Sequence, residues 1–327
     1  IVFRETSGDE TVTSLRVAVI GAGVMGRFHA NVYATLPQTT LIAIVDPDPS
    51  RRHEAQKAYG CTVYDTLAEL LESDPPDAVS VASPTITHHE LTRTLLSAGV
   101  HVLVEKPAAT TVGQAKELVE LSRREGLVLQ VGHITRFYKA VNILNAQIKN
   151  PYLVEARRLT PYARIQDVGV ILDLMIHDID IVLGIVESPI KEITVAGHFL
   201  NGTEYEDLAA AQIRFENGCI TRFLASRIAP DAERTLVVAE EHQTLHLDFA
   251  KEPHTEVATF RPLANGEENH VQVDRRVVVE DNPLRRELEH FLARIGQSAD
   301  PIGTFEDDLR SLELATSLIV KLQQQIK

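Results

Sequence analysis

One stretch of the chain combines apolar surroundings with groups that titrate, Gly169–Val186 (GVILDLMIHDIDIVLGIV). Drawn as a helix it is apolar on nearly every side, and such a helix is normally buried. It nevertheless carries Asp173, His177, Asp178 and Asp180. Burying a charge is costly unless the charge is paired or used, and Asp173 and His177 share one helix face, with Asp180 near it. The pattern suits acid–base catalysis, but it also suits a structural Asp–His pair beneath a domain interface.

A glycine-rich turn near the start of the chain has the spacing of a dinucleotide site. The apolar run Leu15–Ile20 predicts a strand, GAGVMG follows at 21–26, and the helical pattern Arg27–Tyr33 comes next. In this setting the first glycine allows a tight turn, the second allows a pyrophosphate to approach, and the third lets helix and strand pack closely. The helix N-terminus then faces the phosphates. The predicted phosphate-binding residues are Gly21, Gly23, Val24, Met25 and Gly26.

An acidic residue stands where the ribose of such a cofactor would lie. The next apolar run, Leu41–Val45, ends in Asp46, twenty residues after Gly26. We expect Asp46 to meet the ribose hydroxyls and to favour NAD, because a carboxylate repels the 2′-phosphate of NADP. Arg51 and Arg52 follow closely and could tolerate NADP, which stays open. The alternative is an incidental glycine turn with a helix-capping Asp.

Strands and helices continue to alternate through the first half of the chain. This order predicts a doubly wound parallel sheet, a Rossmann fold, with ligands bound outside the carboxyl ends of the strands. The predicted strands are Cys61–Tyr64, Asp77–Ala82, His101–Val104 and Leu127–Val131, and the predicted helices are Leu67–Leu71, His88–Ala98 and Val112–Glu125.

The residues at those strand ends are candidates for cofactor binding and catalysis. Ser83 and Pro84 follow one strand, and Glu105, Lys106 and Pro107 follow the next. A cis proline would fix the direction of the lysine. The alternative for Glu105 and Lys106 is a solvated pair on a loop.

Two adjacent histidines follow the Ser83–Pro84 turn. His88 and His89 look like the start of a zinc site, but no second pair of ligands follows at a helical spacing. We therefore expect no metal, and we predict that His88 touches the nicotinamide end of the cofactor.

The composition is that of a globular protein of one or two domains. The chain has 327 residues, 44% hydrophobic and 24% charged. Its formal net charge of −14 argues against nucleic acid as a partner. Two cysteines, Cys61 and Cys219, make no disulfide framework. The polar N-terminal segment has no secretory pattern, and no apolar run approaches the length of a membrane span. We expect a cytoplasmic protein that does not bind membranes.

The second half reads as an α+β domain with an open, mostly antiparallel sheet. It begins with a helical link at Phe137–Ile148 and continues through strands that no helix separates. The predicted strands are Leu153–Leu159, Ile193–Phe199, Leu208–Phe215, Cys219–Ile228, Leu236–Ala239, Thr244–Phe249, Val257–Phe260 and Val271–Val279, and helices follow at Pro283–Ile295 and Asp307–Leu322.

The predicted domains are 15–133 for dinucleotide binding, 134–305 for substrate binding and oligomerisation, and 306–327 as a helix returning to the first domain. We expect a homodimer or homotetramer formed through the open sheet, because a large exposed apolar face is a liability. Arg157, Arg158 and Arg164 precede the Asp–His stretch, and one of them could bind a substrate phosphate or carboxylate.

These features together resemble the glucose–fructose oxidoreductase/inositol dehydrogenase/MocA (Gfo/Idh/MocA) family of NAD(P)-dependent sugar oxidoreductases. The matching segments are VIGAGVMG at 19–26, Val45–Asp46, Ser83–Pro84, Glu105–Pro107, Arg136 in GHITRF, and Asp173 with His177 in LDLMIHDID. The resemblance implies that Lys106 lies at the reacting centre, that Asp173 and His177 form the D-x-x-x-H pair with His177 as acid/base, and that Arg136 lies near the substrate.

The chain departs from the family pattern at two places. It has His133-Ile134-Thr135 where an asparagine often precedes the arginine, and it keeps only Gly169 of the consecutive glycines ahead of the aspartate. These departures bear on the identity of the substrate. The combination GHxxRF with DLMIHDID is most similar to members that oxidise UDP-N-acetylglucosamine at C3.

The sequence therefore predicts an NAD-dependent dehydrogenase of a secondary sugar hydroxyl, with a sugar or nucleotide sugar as substrate. Inositol or a free hexose is the alternative substrate. Two alternatives come from other classes: an NAD-binding sensor without turnover, and a hydrolase or lyase in which Asp173, His177 and Asp180 hold a metal.

Overall fold

The computed structural model describes residues 14–161, 168–200, 204–251, 253–262, 271–280 and 282–326. Arg164, one of the predicted substrate residues, lies outside these ranges. No helix among the described residues is long and apolar enough to cross a membrane.

The first half of the chain builds a six-stranded parallel sheet. Its order is β3-β2-β1-β4-β5-β6, the doubly wound order of a Rossmann fold, which confirms the predicted fold class. The strands are β1 Leu15–Ile20, β2 Thr39–Val45, β3 Thr62–Tyr64, β4 Ala78–Val81, β5 His101–Glu105 and β6 Leu129–Gly132; the helices are α1 Val24–Tyr33, α2 Pro49–Tyr59, α3 Leu67–Ser73, α4 Thr85–Ser97 and α5 Val112–Glu125.

Helix α2 was not among the predicted elements. Asp48 caps its N-terminus by accepting from the main-chain N–H of Ser50, Pro49 occupies its first turn, and Gly60 ends it in a left-handed conformation. Only Ala55 is buried along it. The helix was missed because it has almost no apolar periodicity, although its end signals were present.

The second half builds an eight-stranded sheet in the order β14-β13-β12-β11-β7-β10-β9-β8. All neighbours pair antiparallel except β7 and β10, as the prediction of a mostly antiparallel sheet required. The strands are β7 Leu153–Leu159, β8 Ile190–His198, β9 Leu208–Phe215, β10 Ile220–Ser226, β11 Glu233–Glu240, β12 Gln243–Lys251, β13 His254–Pro262 and β14 Val271–Val279, and the helices are α6 Lys139–Gln147, α7 Ile176–Ile185, α8 Pro283–Ile295 and α9 Phe305–Ile326.

The two C-terminal helices pack in different cores. The apolar face of α8, which includes Leu288 and Phe291, lies in the core of the first sheet with Val17 and Val19. Helix α9 packs mainly in the core of the second half, with α7.

Helix α9 also contacts α5 of the first half. Lys116 of α5 lies 3.1 Å from Glu313, and Arg123 lies 2.6 Å from Glu306. Helix α9 thus bridges the two halves beside the end of β6.

Candidate active site

The β1–α1 turn has the shape that a dinucleotide pyrophosphate needs. Gly21 has φ +93°, and a Cβ there would lie 2.6 Å from the Ala82 carbonyl oxygen at the end of β4. A Cβ on Gly26 would overlap the Gly21 carbonyl. Around Gly23, by contrast, a Cβ would meet no atom of the described residues within 4 Å. The first and third glycines are therefore required by packing, and the second leaves space for a ligand.

Asp46 lies at the carboxyl end of β2, as the sequence predicted. Its buried carboxylate accepts hydrogen bonds from the main-chain N–H groups of Ala22 (2.7 Å) and Asp48 (2.8 Å). Arg52 is held by the Asp65 carboxylate at 2.7 Å, whereas Arg51 is exposed and lies 3.8 Å from Asp46. A buried acid beside the glycine turn fits the ribose of NAD.

His88 joins the two strand-end loops to each other. Its Nδ1 lies 2.8 Å from the Pro107 carbonyl oxygen, and its Nε2 lies 2.9 Å from that of Ser83. The ring is buried and both nitrogens face main-chain carbonyls. The ring therefore positions the Ser83–Pro84 and Lys106–Pro107 loops, and its predicted contact with the nicotinamide stays a prediction.

Glu105 and Lys106 point to different partners. The Glu105 carboxylate lies 2.9 Å from Nε2 of the buried His29 on α1. Burial alone would raise the pKa of Glu105, but the His29 hydrogen bond and the charges of His29 and Lys106 hold it below the ordinary value. The Lys106–Pro107 peptide bond is cis.

Lys106 connects the first sheet to the Asp–His stretch. Its ammonium group donates to the main-chain oxygen of Asp173 at 2.6 Å and to the Asp173 carboxylate at 3.3 Å. Both side chains are largely buried, with exposed fractions of 15% and 14%. The structure thus brings together two predicted catalytic residues that lie 67 positions apart.

His177 lies in the same environment. Its Nδ1 is buried without a hydrogen-bond partner among the described residues. Burial, and then the positive charges of Lys106 and Arg158, lower the pKa of His177 well below its ordinary value. The lowered pKa favours the neutral imidazole, which is the form that a general base needs.

The stretch that carries Asp173 is not a regular α-helix at its start. Ile171–Met175 forms a π-helical turn that leads into α7. The buried Glu206 holds this turn by accepting from the main-chain N–H of Ile171 at 2.9 Å, and a Cβ on Gly169 would overlap that carboxylate. The sequence predicted that Asp173 and His177, four residues apart, share one face of a regular α-helix. The π-turn changes the positions of these two side chains relative to each other.

Two arginines that the sequence placed near substrate are engaged in ion pairs. Arg158 contacts both carboxylate oxygens of Asp178, the nearer at 2.7 Å. Arg136 binds Asp180 through Nε (2.9 Å) and Nη2 (2.6 Å) and lies 2.7 Å from Asp308 of α9. These contacts make Arg136 a tie between the end of β6, α7 and α9, and the substrate role that the resemblance implies for it stays a prediction.

The same cluster contains ligand types that could hold a cation. The cluster consists of His133, Asp180 and Asp308, and each offers one possible ligand atom that lies within 4.8 Å of the other two. The Arg136 guanidinium pairs with both carboxylates, so a divalent ion would have to face or displace a fixed positive charge. We therefore interpret the cluster as an ion-pair network. Asp180, which the metal alternative required beside His177, is bound within it.

The sequence did not single out His29, Glu206 or Asp308. Each contacts a part of the site that lies far along the chain, and nothing in its own neighbourhood marks it. His133 was noted only in the segment His133-Ile134-Thr135 that departs from the family pattern.

Comparison with known proteins agrees with this geometry. A family model described as "Oxidoreductase family, NAD-binding Rossmann fold" matches residues 15–133, and the GFO/IDH/MocA C-terminal domain matches 140–246. UDP-N-acetylglucosamine 3-dehydrogenase from Acidithiobacillus ferrooxidans is 31% identical over 287 residues, which are 86% of this chain and 88% of that protein. scyllo-Inositol 2-dehydrogenase (NAD(+)) from Bacillus subtilis is 25% identical over 319 residues, 92% of each chain. A solved structure of the Acidithiobacillus enzyme has a TM-score of 0.85 at 28% identity and covers 96% of this chain and 99% of that one.

Proposed function

Because the chain belongs to the GFO/IDH/MocA family of NAD-binding oxidoreductases, we propose that it oxidises a secondary hydroxyl of a sugar with NAD, at C3 of a nucleotide sugar such as UDP-N-acetylglucosamine. The observation that carries the proposal is the contact of Lys106 with Asp173 close to the neutral His177. This contact supports the proposal because a cation, a carboxylate and a base would then lie beside the edge where the glycine turn would hold the cofactor.

The chain's own residues have separable tasks in this reaction. His177 takes the proton of the substrate hydroxyl. Lys106 donates a hydrogen bond to the reacting oxygen and stabilises the negative charge that develops there. Asp173 holds the Lys106 ammonium in place through its main-chain oxygen and carboxylate. The bound nicotinamide supplies the hydride acceptor, and Gly21–Gly26 with Asp46 would hold the dinucleotide.

The narrower proposal rests on similarity to the Acidithiobacillus enzyme at 31% identity over most of both chains. Inositol is the second candidate, because inositol dehydrogenases match over up to 92% of this chain. Arg136 in GHITRF does not help to choose between them, since its guanidinium is bound to Asp180 and Asp308.

A substrate panel tests both candidates. The purified protein is assayed with NAD and with NADP against UDP-N-acetylglucosamine, UDP-glucose, myo-inositol, scyllo-inositol and glucose, following the absorbance of the reduced cofactor. We expect the highest kcat/KM with UDP-N-acetylglucosamine and NAD, and a ketone at C3 by NMR of the product. A preference for a free inositol would overturn the narrower proposal, and no turnover with any sugar would favour an NAD-binding sensor.

We also propose that a second copy of the chain covers the open face of the second sheet. The edge strand β14 exposes Val271, Val273, Val277 and Val279, each between 45% and 60%. Isologous pairing of such faces is the commonest way to cover them. Analytical ultracentrifugation should give a dimer or tetramer, and Val273→Lys with Val277→Lys should shift it towards monomer. A monomeric wild-type chain would overturn this assignment.

A further inference from the structure

Lys106 is the first residue beyond the hydrogen-bonded part of its strand. The register of β5 with β4 ends at Val104, and its register with β6 ends at Glu105, which lies opposite Gly132. The ammonium group of Lys106 must nevertheless be placed accurately, because a displacement of about 1 Å can cost about 10²-fold in rate. Other contacts must therefore hold the main chain at this point.

We propose that Glu105 and His29 form a positioning pair for Lys106. The inference rests on the proposed function, which assigns to Lys106 the hydrogen bond to the reacting oxygen. Glu105 directly precedes Lys106, and its carboxylate lies 2.9 Å from Nε2 of His29. His29 belongs to α1, the helix that begins in the glycine turn. The pair thus holds the strand end that carries Lys106 against the helix that would bind the dinucleotide phosphates.

The Glu105 side chain is confined on a second side by β6. A Cβ on Gly132 would lie 3.1 Å from the Glu105 carboxylate and 3.2 Å from its Cα, which is closer than ordinary packing. Gly132 therefore leaves the space that the Glu105 side chain occupies. With His29 on one side and Gly132 on the other, this side chain has little room to change rotamer. Its hydrogen bond to His29 consequently restrains the main chain of the strand end as well as the carboxylate.

His29 is an unfavourable residue to bury at this position. Its side chain is 0% exposed, and its Nδ1 has no hydrogen-bond partner among the described residues. A buried polar atom without a partner destabilises a fold, and well-packed apolar residues can often replace a buried ion pair without loss of stability. Stability alone therefore does not account for the Glu105–His29 pair, whereas a need to hold Lys106 in place does.

A second histidine holds the other neighbour of Lys106. Nδ1 of the buried His88 lies 2.8 Å from the main-chain oxygen of Pro107. Lys106 therefore lies between two residues that buried histidines contact, Glu105 through its side chain and Pro107 through its main chain. From this position its ammonium group donates to the main-chain oxygen of Asp173 at 2.6 Å. Release of Glu105 from His29 should weaken that contact.

Two substitutions of Glu105 separate the reach of the side chain from its charge. Glu105→Asp keeps the charge but is one methylene shorter, so its carboxylate no longer meets His29. Glu105→Gln loses the charge but keeps the length and an amide that can hydrogen-bond the ring. A positioning pair depends on the contact, so we expect kcat to fall by about 10²-fold in Glu105→Asp and by less in Glu105→Gln.

The measurement must separate turnover from binding. Turnover is measured at saturating NAD and saturating sugar, with the sugar that the substrate panel identifies, so that kcat is obtained apart from KM. Calorimetric titration should give the same Kd for NAD in the wild type and in both variants, because α1 keeps its glycine turn. Glu117→Asp is the matched control. It shortens the partner of His89 in a more exposed histidine–glutamate pair of similar length, 3.0 Å, and should leave kcat unchanged.

The same contact can be broken from the side of His29. The amide nitrogen of His29→Asn takes the place of Nδ1 and leaves Glu105 without its partner, whereas that of His29→Gln reaches the place of Nε2. We expect His29→Asn to lose as much kcat as Glu105→Asp and His29→Gln to lose less. The double variant of Glu105→Asp and His29→Asn should lose no more than either single variant, because both remove one interaction. If Glu105→Asp fails to fold, the two variants of His29 make the same comparison.

Several results would overturn the positioning role. A Glu105→Gln variant at least as impaired as Glu105→Asp would show that the charge acts rather than the contact. Losses that multiply in the double variant, or a weaker Kd for NAD that accounts for the lost turnover, would also exclude it.

A further test needs no turnover. A crystal structure of Glu105→Asp should show the Lys106 ammonium group displaced from the main-chain oxygen of Asp173, and an unchanged contact would overturn the positioning role. A wild type without activity on any sugar would instead refute the proposed function, and the crystal structure would still test the positioning of Lys106.

Discussion

The Lys106 ammonium group lies 2.6 Å from the main-chain oxygen of Asp173 and 3.3 Å from its carboxylate. Lys106 follows β5 of the first sheet, and Asp173 lies in the π-turn that precedes α7. The site is therefore assembled from both halves of the chain. The contact also has an electrostatic consequence, because the Lys106 charge lies close enough to His177 to lower its pKa.

We predict that Lys106→Met lowers kcat by roughly 10²–10³-fold, the usual cost of removing one donor to a developing oxyanion. The substitution also removes a positive charge that lowers the pKa of His177, so that pKa should rise. Since a protonated base cannot accept, the acidic limb of kcat/KM should move to higher pH. A pH–rate profile of the residual activity measures both effects.

The matched control is Lys116→Met, because Lys116 is an exposed lysine of α5 that pairs with Glu313. It should leave both kcat and the pH profile unchanged. A Lys106→Met enzyme with the wild-type acidic limb would refute the electrostatic link to His177.

For His177→Ala we expect a loss of about 10²–10⁴-fold in turnover, the range for a general base. NAD binding should persist, because the glycine turn and Asp46 belong to the first sheet and its loops whereas His177 belongs to α7. Calorimetric titration with NAD measures this binding. His89→Ala removes a histidine that pairs with Glu117 on the surface and serves as the control. Near-wild-type turnover in His177→Ala would remove His177 from its role.

Much of the fold could be predicted because its signals are local. Leu15–Ile20, Val112–Glu125 and Pro283–Ile295 were predicted with the bounds that the structure has. Buried β-branched runs and capped amphipathic helices carry their pattern within one segment. Helix α2 carries no such pattern, since only one of its residues is buried. The packing partner of α8 could not be predicted for a related reason, because an apolar stripe does not specify which core it joins.

The positions of the candidate site residues could be predicted only for residues that directly follow a strand of the parallel sheet. Lys106 had to lie at the cofactor edge because β5 ends there. Its contact with Asp173, and the ion pairs of Arg136, depend on tertiary structure that no local pattern encodes. The π-turn depends on Glu206, which lies 35 positions beyond Ile171 in the chain. The predicted roles of Lys106, Asp173 and His177 in catalysis stay predictions that the experiments above test.

Gly169→Ala should destabilise the π-turn, because a Cβ at this position would overlap the Glu206 carboxylate. We expect a loss of about 1–3 kcal/mol in the free energy of unfolding, as for other overpacked sites. Turnover should fall as well, because Asp173 lies in the displaced turn. Urea denaturation and the sugar assay measure these effects.

Gly184→Ala is the control within the same helical segment. A Cβ on Gly184 meets no atom of the described residues within 4 Å, so the substitution should stabilise α7 by roughly 0.5–1 kcal/mol. Equal effects of the two substitutions would contradict the proposed role of Glu206.

Glu287 of α8 should make stability depend on pH. It is 0% exposed, and neither carboxylate oxygen has a hydrogen-bond partner among the described residues. Burial, and then the Glu105 carboxylate, raise its pKa well above the ordinary value of 4.5. For an acid with a raised pKa, the favourable contribution to folding stability is complete below the ordinary pKa and is lost as the pH rises towards the raised value.

Glu287→Gln removes this loss of stability. We therefore expect it to stabilise the fold by about 1–3 kcal/mol near pH 8 and by much less near pH 5, as measured by urea denaturation. Glu289→Gln, which disturbs only a partly exposed pair with Arg285, should show no such difference. An equal effect of Glu287→Gln at both pH values would mean that Glu287 is ionised in the folded protein.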